Sequence, residues 1–139
     1  MASVFTKIIA GEIPGRFVWK DDKCVAFLTI EAITNGHTLV VPRAEIDHWI
    51  DLPPDLAAHL FVVSQNIGKA IQKAFRAPRI GVIIAGMDVP HTHIHVIGIA
   101  DTGDLTFANA RSPRGDVLDH AADKLRLALK ELRYPQVSD

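Results

Sequence analysis

This chain of 139 residues has little cysteine and no excess of either charge. Cys24 is the only cysteine, which excludes an internal disulfide framework and every zinc site built from several cysteines. The 15 basic and 16 acidic residues leave a formal net charge of −1. A domain that binds nucleic acid needs an excess of Lys and Arg to displace counterions from phosphates. We therefore expect no nucleic acid as the primary ligand.

Long apolar runs are also missing. None approaches the roughly 18 residues that a membrane-spanning helix needs, and the first residues carry no signal-peptide pattern. These absences predict a cytoplasmic protein with no membrane partner.

The patterning that is present predicts one α+β domain over residues 1–139, with a short C-terminal tail from about residue 133. A short helical turn is predicted at 5–9. A helix opens at Asp51 or at the Pro53–Pro54 pair and closes before Pro78, and a last amphipathic helix covers 117–132. Strands of alternating or apolar character are predicted at 16–19, 24–28, 37–41, 81–86 and 91–97.

The sequence contains seven histidines, against a single cysteine. His91, His93 and His95 alternate along one predicted strand, so they share one face of it. Neutral imidazoles can bind metal, transfer protons or act as nucleophiles. Three interpretations follow: structural histidines satisfied by their neighbours, a zinc site, or covalent catalysis by the central histidine. Spacing alone does not separate the last two.

The wider sequence resembles the histidine triad (HIT) family of nucleotide hydrolases and transferases. Five segments carry the resemblance in the family's order, over roughly residues 3–100: Phe5–Pro14, Ala26–Ile30, Gly36–Arg43, Ala85–Pro90 and His91–Ile97. The resemblance implies an antiparallel sheet of about five strands with two main helices. It also implies a homodimer in which the two sheets become continuous.

By this resemblance, His93 attacks the α-phosphorus of a nucleotide and forms a transient nucleotidyl-histidine. The backbone of His91 holds the other nitrogen of His93, His95 contacts phosphate oxygens, and His37 completes the relay. The implied substrate is a purine nucleotide or its conjugate, such as a nucleoside phosphoramidate or a dinucleoside polyphosphate. No cofactor is implied.

The same segments imply a nucleoside pocket, and they also show where this sequence differs from the family pattern. The positions that hold base and ribose are Val4, Phe5, Ile8, Phe27, Thr29 and Ile30. Thr29 replaces the family's aspartate, and a threonine cannot accept from two hydroxyls as a carboxylate does. Met87 replaces a glutamine, and Asp88 beside it either donates a proton or caps the turn before Pro90.

A structural zinc site of many bacterial relatives falls on Ser3, Thr6 and Glu45, where all three metal ligands are replaced. We therefore expect no metal. Cys24 is expected to be packed in a strand, and the remaining histidines are expected to be solvated: His48, His59 and His120.

Two rival functions stay open. One is a nucleotide-binding protein with little catalysis that acts through dimerisation or partner binding, which the replacements at Thr29 and Met87 motivate. The other is a metal-dependent hydrolase that uses the three histidines.

Overall fold

Five antiparallel strands form one sheet in the computed structural model, which describes residues 1–139. The strands are β1 (Phe17–Lys20), β2 (Cys24–Leu28), β3 (Thr38–Pro42), β4 (Arg79–Ile83) and β5 (Ile94–Ile99), in the spatial order β1-β2-β3-β5-β4. The helices are α1 (Val4–Ile9), α2 (Pro54–Phe75) and α3 (Gly115–Glu131), with single 3₁₀ turns at Trp49–Asp51, Thr102–Asp104 and Phe107–Asn109. The predicted α+β fold with five strands and two main helices is confirmed.

The long helix α2 begins and ends where the sequence predicts. Pro54 occupies its first turn, where a missing N–H costs no hydrogen bond. Its apolar residues at steps of three and four bury one face against the sheet. The helix ends at Arg76, which adopts the left-handed conformation with φ of 55°, and Pro78 follows shortly after.

The two faces of the sheet carry separate cores, because strand side chains alternate. On the face covered by α2 and α3, here called the helix face, 18 buried residues form one cluster that includes Cys24, Ala26 and Val40. The opposite face, here called the site face, has five, which are Phe5, Val25, Phe27, Leu39 and Val41. Only the six-residue α1 supplies a helix there.

The predicted boundaries of two strands are wrong. β5 begins at Ile94, so His91 and His93 precede the strand that was expected to contain them. The amide of Thr92 donates to the carbonyl of Ile46 in the loop after β3, which takes this stretch out of the sheet ladder. β4 begins earlier than predicted, at Arg79, and ends at Ile83 before the left-handed Gly86.

The two edges of the sheet differ. Along β1, Lys20 N–H donates to the carbonyl of Gln136, and Ser138 N–H donates to that of Val18, so the C-terminal tail covers this edge. The outer edge of β4 has no strand beside it, and Val82 on it is 45% exposed. No helix combines the length and apolar character that crossing a membrane requires.

Candidate active site

Two adjoining cavities lie on the site face. The larger, of about 410 Å³, is lined by His93, His95 and Asp88 together with the 85–89 loop. The smaller, of about 230 Å³, is mostly apolar. Both are lined by Phe5, Thr29, Ile30 and Leu39, so they are two compartments of one cleft.

The ring of His93 is held through Nδ1, which leaves Nε2 without a hydrogen-bond partner. Its Nδ1 lies 2.8 Å from the carbonyl oxygen of His91. Because a carbonyl only accepts, Nδ1 carries the proton and donates it, and Nε2 keeps its lone pair. The ring packs edge-on against Phe5, with centroids 4.8 Å apart. Burial lowers the pKa of His93, an effect that its hydrogen bond to His91 opposes, so the ring is neutral at pH 7.

His95 has the opposite tautomer, and a backbone amide sets it. The N–H of Ile33 donates to His37 Nδ1 at 3.0 Å, which places the His37 proton on Nε2. That Nε2–H donates to His95 Nδ1 at 2.9 Å, so the His95 proton is on Nε2. Burial lowers the pKa of His37 to about 4 and that of His95 to about 3. Both rings are therefore neutral at pH 7, and His95 is a hydrogen-bond donor.

His91 is near the cleft without lining it. The side chain is fully buried, and its Nε2–H donates to the carbonyl oxygen of Pro42 at 2.8 Å. Its Nδ1 lies 2.7 Å from Ser3 Oγ. The contribution of His91 to the cleft is therefore its carbonyl, which orients His93.

Asp88 is exposed on the rim of the larger cavity. Its carboxylate forms no hydrogen bond with the turn before Pro90, so nothing in the structure supports the capping interpretation. Its charge raises the pKa of His93, against the larger effect of burial. A carboxylate at this place can exchange a proton with a group leaving the cavity.

All six residues predicted for the nucleoside pocket line the smaller cavity: Val4, Phe5, Ile8, Phe27, Thr29 and Ile30. Thr29 Oγ1 accepts the N–H of Glu31 at 3.2 Å and so stabilises the turn after β2. The hydroxyl is therefore already engaged where the family has a carboxylate.

Sequence reasoning missed several residues of the cleft, among them Leu39 and Phe107. Leu39 lines both cavities, and its place two residues after His37, within the predicted strand 37–41, is a signal that would have found it. Phe107 contacts the ring of His95 edge-on, with centroids 4.9 Å apart. It sits in a loop that a pair of backbone hydrogen bonds between Ala32 and Arg111 fastens to the turn after β2. No local pattern predicts that contact.

The sheet order and the alternating histidines define a histidine triad fold. The family model for the HIT domain matches residues 10–102, which is more than half of the chain. "Protein hit" of Bacillus subtilis is 36% identical over 106 residues, 73% of each protein. A zinc-bound histidine triad family protein from Mycobacterium smegmatis superposes with a TM-score of 0.83 at 29% identity, over 95% of this chain and 96% of that one. Adenylylsulfatase HINT3 of Arabidopsis thaliana is 32% identical over 99 residues, 68% of this chain and 50% of that protein. This chain belongs to the HIT family.

The residues at the expected zinc position do not fit that metal. Ser3, Thr6, Glu45 and His91 do converge, but they supply two neutral hydroxyls and one carboxylate with a single imidazole. Structural zinc sites use thiolates and imidazoles. Both hydroxyls are also engaged in hydrogen bonds within the cluster.

A second polar cluster lies beside the helix face, between Asp21, Cys24 and His59. Their ligand atoms lie within 4.8 Å of one another. The Asp21 carboxylate already accepts from Trp19, from His59 and from the backbone N–H of Lys23 and Cys24.

These hydrogen bonds outweigh burial and hold the pKa of Asp21 well below its usual range. Burial and the charge of Asp21 raise the pKa of the Cys24 thiol, so it is protonated. A cation would have to displace that proton and these donors. The expectation that His59 is solvated is wrong, since it is half-buried and bonded to Asp21.

Proposed function

We propose that this protein is a nucleotide hydrolase or transferase in which His93 Nε2 attacks the α-phosphorus of a nucleotide conjugate. The observation that carries the proposal is the opposite protonation of two neighbouring rings, 4.8 Å apart. His93 offers a lone pair, and His95 offers an N–H. A nucleophile beside a donor for the phosphoryl oxygens is what phosphoryl transfer requires.

In the first step, a bond forms between His93 Nε2 and phosphorus while the bond from phosphorus to the leaving group breaks. The leaving group takes a proton from water at the rim of the larger cavity, where the Asp88 carboxylate lies. His93 becomes cationic, and its Nδ1–H stays bonded to the His91 carbonyl, whose dipole stabilises the charge. In the second step, water attacks phosphorus while the bond from phosphorus to His93 Nε2 breaks. The attacking water gives up a proton to solvent, the mononucleotide leaves and Nε2 regains its lone pair.

The charge of the larger cavity favours a substrate with few phosphates. No Lys or Arg lines the larger cavity, whereas Asp88 and Glu31 do. A chain of several phosphates would gain little there, since two carboxylates oppose it. A nucleoside phosphoramidate, with one phosphorus, therefore suits this site better than a dinucleoside polyphosphate. The smaller cavity, walled by Phe5 and Phe27, suits a flat purine base.

The test is hydrolysis of adenosine 5′-phosphoramidate by the wild type and by His93→Ala, with rapid acid-free quenching and intact-mass analysis. We expect turnover by the wild type and a transient mass increase of one adenylyl group. His93→Ala should show neither. His120→Ala is the matched control, because His120 is exposed on α3 and lines neither cavity. Turnover by His93→Ala at the wild-type rate would overturn the mechanism.

A nucleotide-binding protein with little catalysis is the second candidate. Thr29 and the 90% exposed Met87 are the observations that favour it, since the ribose carboxylate and the loop glutamine of the family are both replaced. AMP binding by calorimetry, without adduct or turnover on any substrate of a panel, would select this candidate. The panel includes phosphoramidates, polyphosphates and nucleotidyl sugars.

We also propose a homodimer formed through the free edge of β4. Val82 and Phe61 are exposed beside this edge, around a groove of about 380 Å³ between α2 and β4. Antiparallel pairing of β4 with its copy would satisfy the open edge and make one continuous sheet. Light scattering after size exclusion should give a dimer, and Val82→Lys should give a monomer.

A further inference from the structure

Four side chains from three distant segments meet behind the nucleophile. Ser3 and Thr6 belong to the start of α1, Glu45 follows β3, and His91 precedes β5. Glu45 Oε1 accepts the N–H of Ser3 at 2.7 Å and the hydroxyl of Thr6 at 2.6 Å. Ser3 Oγ accepts the N–H of Thr6 at 3.0 Å and lies 2.7 Å from His91 Nδ1. We call these four residues the Glu45 clamp.

Groups that can only accept hydrogen bonds fix where protons lie in the Glu45 clamp. The Pro42 carbonyl only accepts, so His91 Nε2 carries a proton. The Ser3 hydroxyl lies 2.7 Å from His91 Nδ1 and 3.3 Å from Thr6 Oγ1, and the Thr6 hydroxyl in turn donates to Glu45 Oε1. Both ring nitrogens of His91 are therefore hydrogen-bonded, and its side chain has no exposed surface.

The clamp is connected to the nucleophile through one carbonyl. The His91 ring is held from both sides, and Thr92 N–H and hydroxyl both donate to the Ile46 carbonyl at 2.8 Å. The peptide group between residues 91 and 92 is therefore held at both ends. Its oxygen is the acceptor that keeps the proton of His93 on Nδ1.

We propose that Glu45 is a positioning residue that, through Ser3 and Thr6, holds the His91 ring and so the carbonyl that orients His93. The clamp does this without a metal, at the place where the Cys and His ligands of zinc-binding relatives are replaced. Its effect on turnover rests on the proposed function, whereas its effect on the histidine rings does not.

The experiment compares Glu45→Ala, Glu45→Gln and Ser3→Ala with Glu12→Ala. Glu12 is exposed just after α1, and its side chain has no hydrogen-bond partner. Glu12→Ala therefore removes the same charge as Glu45→Ala without removing a hydrogen bond. Long-range ¹H–¹⁵N spectra of the imidazoles report which nitrogen carries each proton. Steady-state kinetics with adenosine 5′-phosphoramidate and thermal melting accompany them.

In the wild type we expect single tautomers, with the proton on Nε2 of His91 and on Nδ1 of His93. Glu45→Ala and Ser3→Ala should give mixed or shifted signals for both rings. They should lower kcat by about tenfold, with KM within about twofold, since small displacements of a reacting group are costly. Glu45→Gln keeps a carbonyl acceptor and should restore most of both properties. Glu12→Ala should match the wild type.

Unchanged ring spectra and kcat in folded Glu45→Ala and Ser3→Ala would overturn the proposal. It would also fall if EDTA removed stoichiometric zinc from the wild type and changed the His91 signals. If the wild type hydrolyses nothing, the proposed function fails, and the ring spectra still decide the role of Glu45.

Discussion

The two faces of the sheet are built from the same strands and differ in what covers them. The helix face has α2 and α3 above an 18-residue core, whereas the site face has the short α1 above five residues. The thin cover leaves a cleft whose larger cavity is lined by His93 and His95. Each face also holds a bonded histidine, His59 beside one and His95 on the other. One face therefore carries most of the core, and the other carries the candidate site.

Removing one histidine from each side gives the largest expected contrast. His95→Ala removes the Nε2–H donor for phosphate oxygens and should lower kcat for adenosine 5′-phosphoramidate by about 10²–10³-fold. His59→Ala removes a bond to Asp21 and should leave kcat unchanged while lowering the free energy of unfolding by about 1–2 kcal/mol. Kinetics and urea unfolding on both variants check this. A reduced kcat in His59→Ala would break the comparison.

Adjacent valines of β3 test the same contrast in packing. Val40 and Val41 are both fully buried, the first in the helix-face core and the second in the site-face cluster. Val40→Ala should lower the free energy of unfolding by about 2–3 kcal/mol. Val41→Ala should cost about 1–2 kcal/mol, since its small cluster relaxes more easily. Equal costs, measured by urea unfolding, would contradict the proposed division.

The buried rings of the site face predict a loss of stability in acid. Burial holds the pKa of His37 at about 4 and that of His95 at about 3, whereas both are near 6.5 in the unfolded chain. Below about pH 6.5 the unfolded chain binds protons that the folded chain does not. The free energy of unfolding therefore decreases as the pH is lowered from about 6.5. Each ring contributes a decrease of up to about 1.4 kcal/mol per pH unit, until its pKa in the folded protein is reached.

Urea unfolding between pH 7 and pH 4.5 measures this slope. The double variant His37→Gln/His95→Gln should have a flatter profile, because neither glutamine titrates. An equally steep profile in the double variant would assign the acid sensitivity to other groups.

The smallest expected effect concerns the ribose. Thr29→Asp places a carboxylate in the cleft where two hydroxyls of a ribose would lie. We expect the KM for the ribonucleoside phosphoramidate to fall by about three- to tenfold, because the carboxylate would form a charge-assisted hydrogen bond with a ribose hydroxyl. The 2′-deoxy analogue should gain less. An equal gain for both substrates would place the ribose elsewhere.

Much of the fold was predictable, because its signals are local. Apolar residues at helical spacing located α2 and α3, and two apolar runs on either side of the charged turn at 20–23 located the hairpin of β1 and β2. The start of β5 was not predictable, since the departure from the sheet at His91 and His93 depends on a bond from Thr92 to Ile46. Closure of the β1 edge by Gln136 and Ser138 likewise depends on distant contacts.

Some residues of the candidate site could likewise be predicted from the sequence, and others could not. The six residues predicted for a nucleoside pocket all line the smaller cavity, and they could be located because the family pattern keeps their order in the chain. Phe107 was not, because its loop reaches His95 only through the pairing of Ala32 with Arg111.

The sequence by itself determined which histidines the candidate site uses, since the alternating motif singles out His93 and His95 and both line the larger cavity. Only the tertiary structure decided which nitrogen of each ring holds a proton. That assignment depends on single acceptors and donors near each ring: the His91 carbonyl for His93, the Ile33 amide for His37, and Ser3 for His91. Ser3 and His91 are 88 residues apart, a separation that local patterns do not encode.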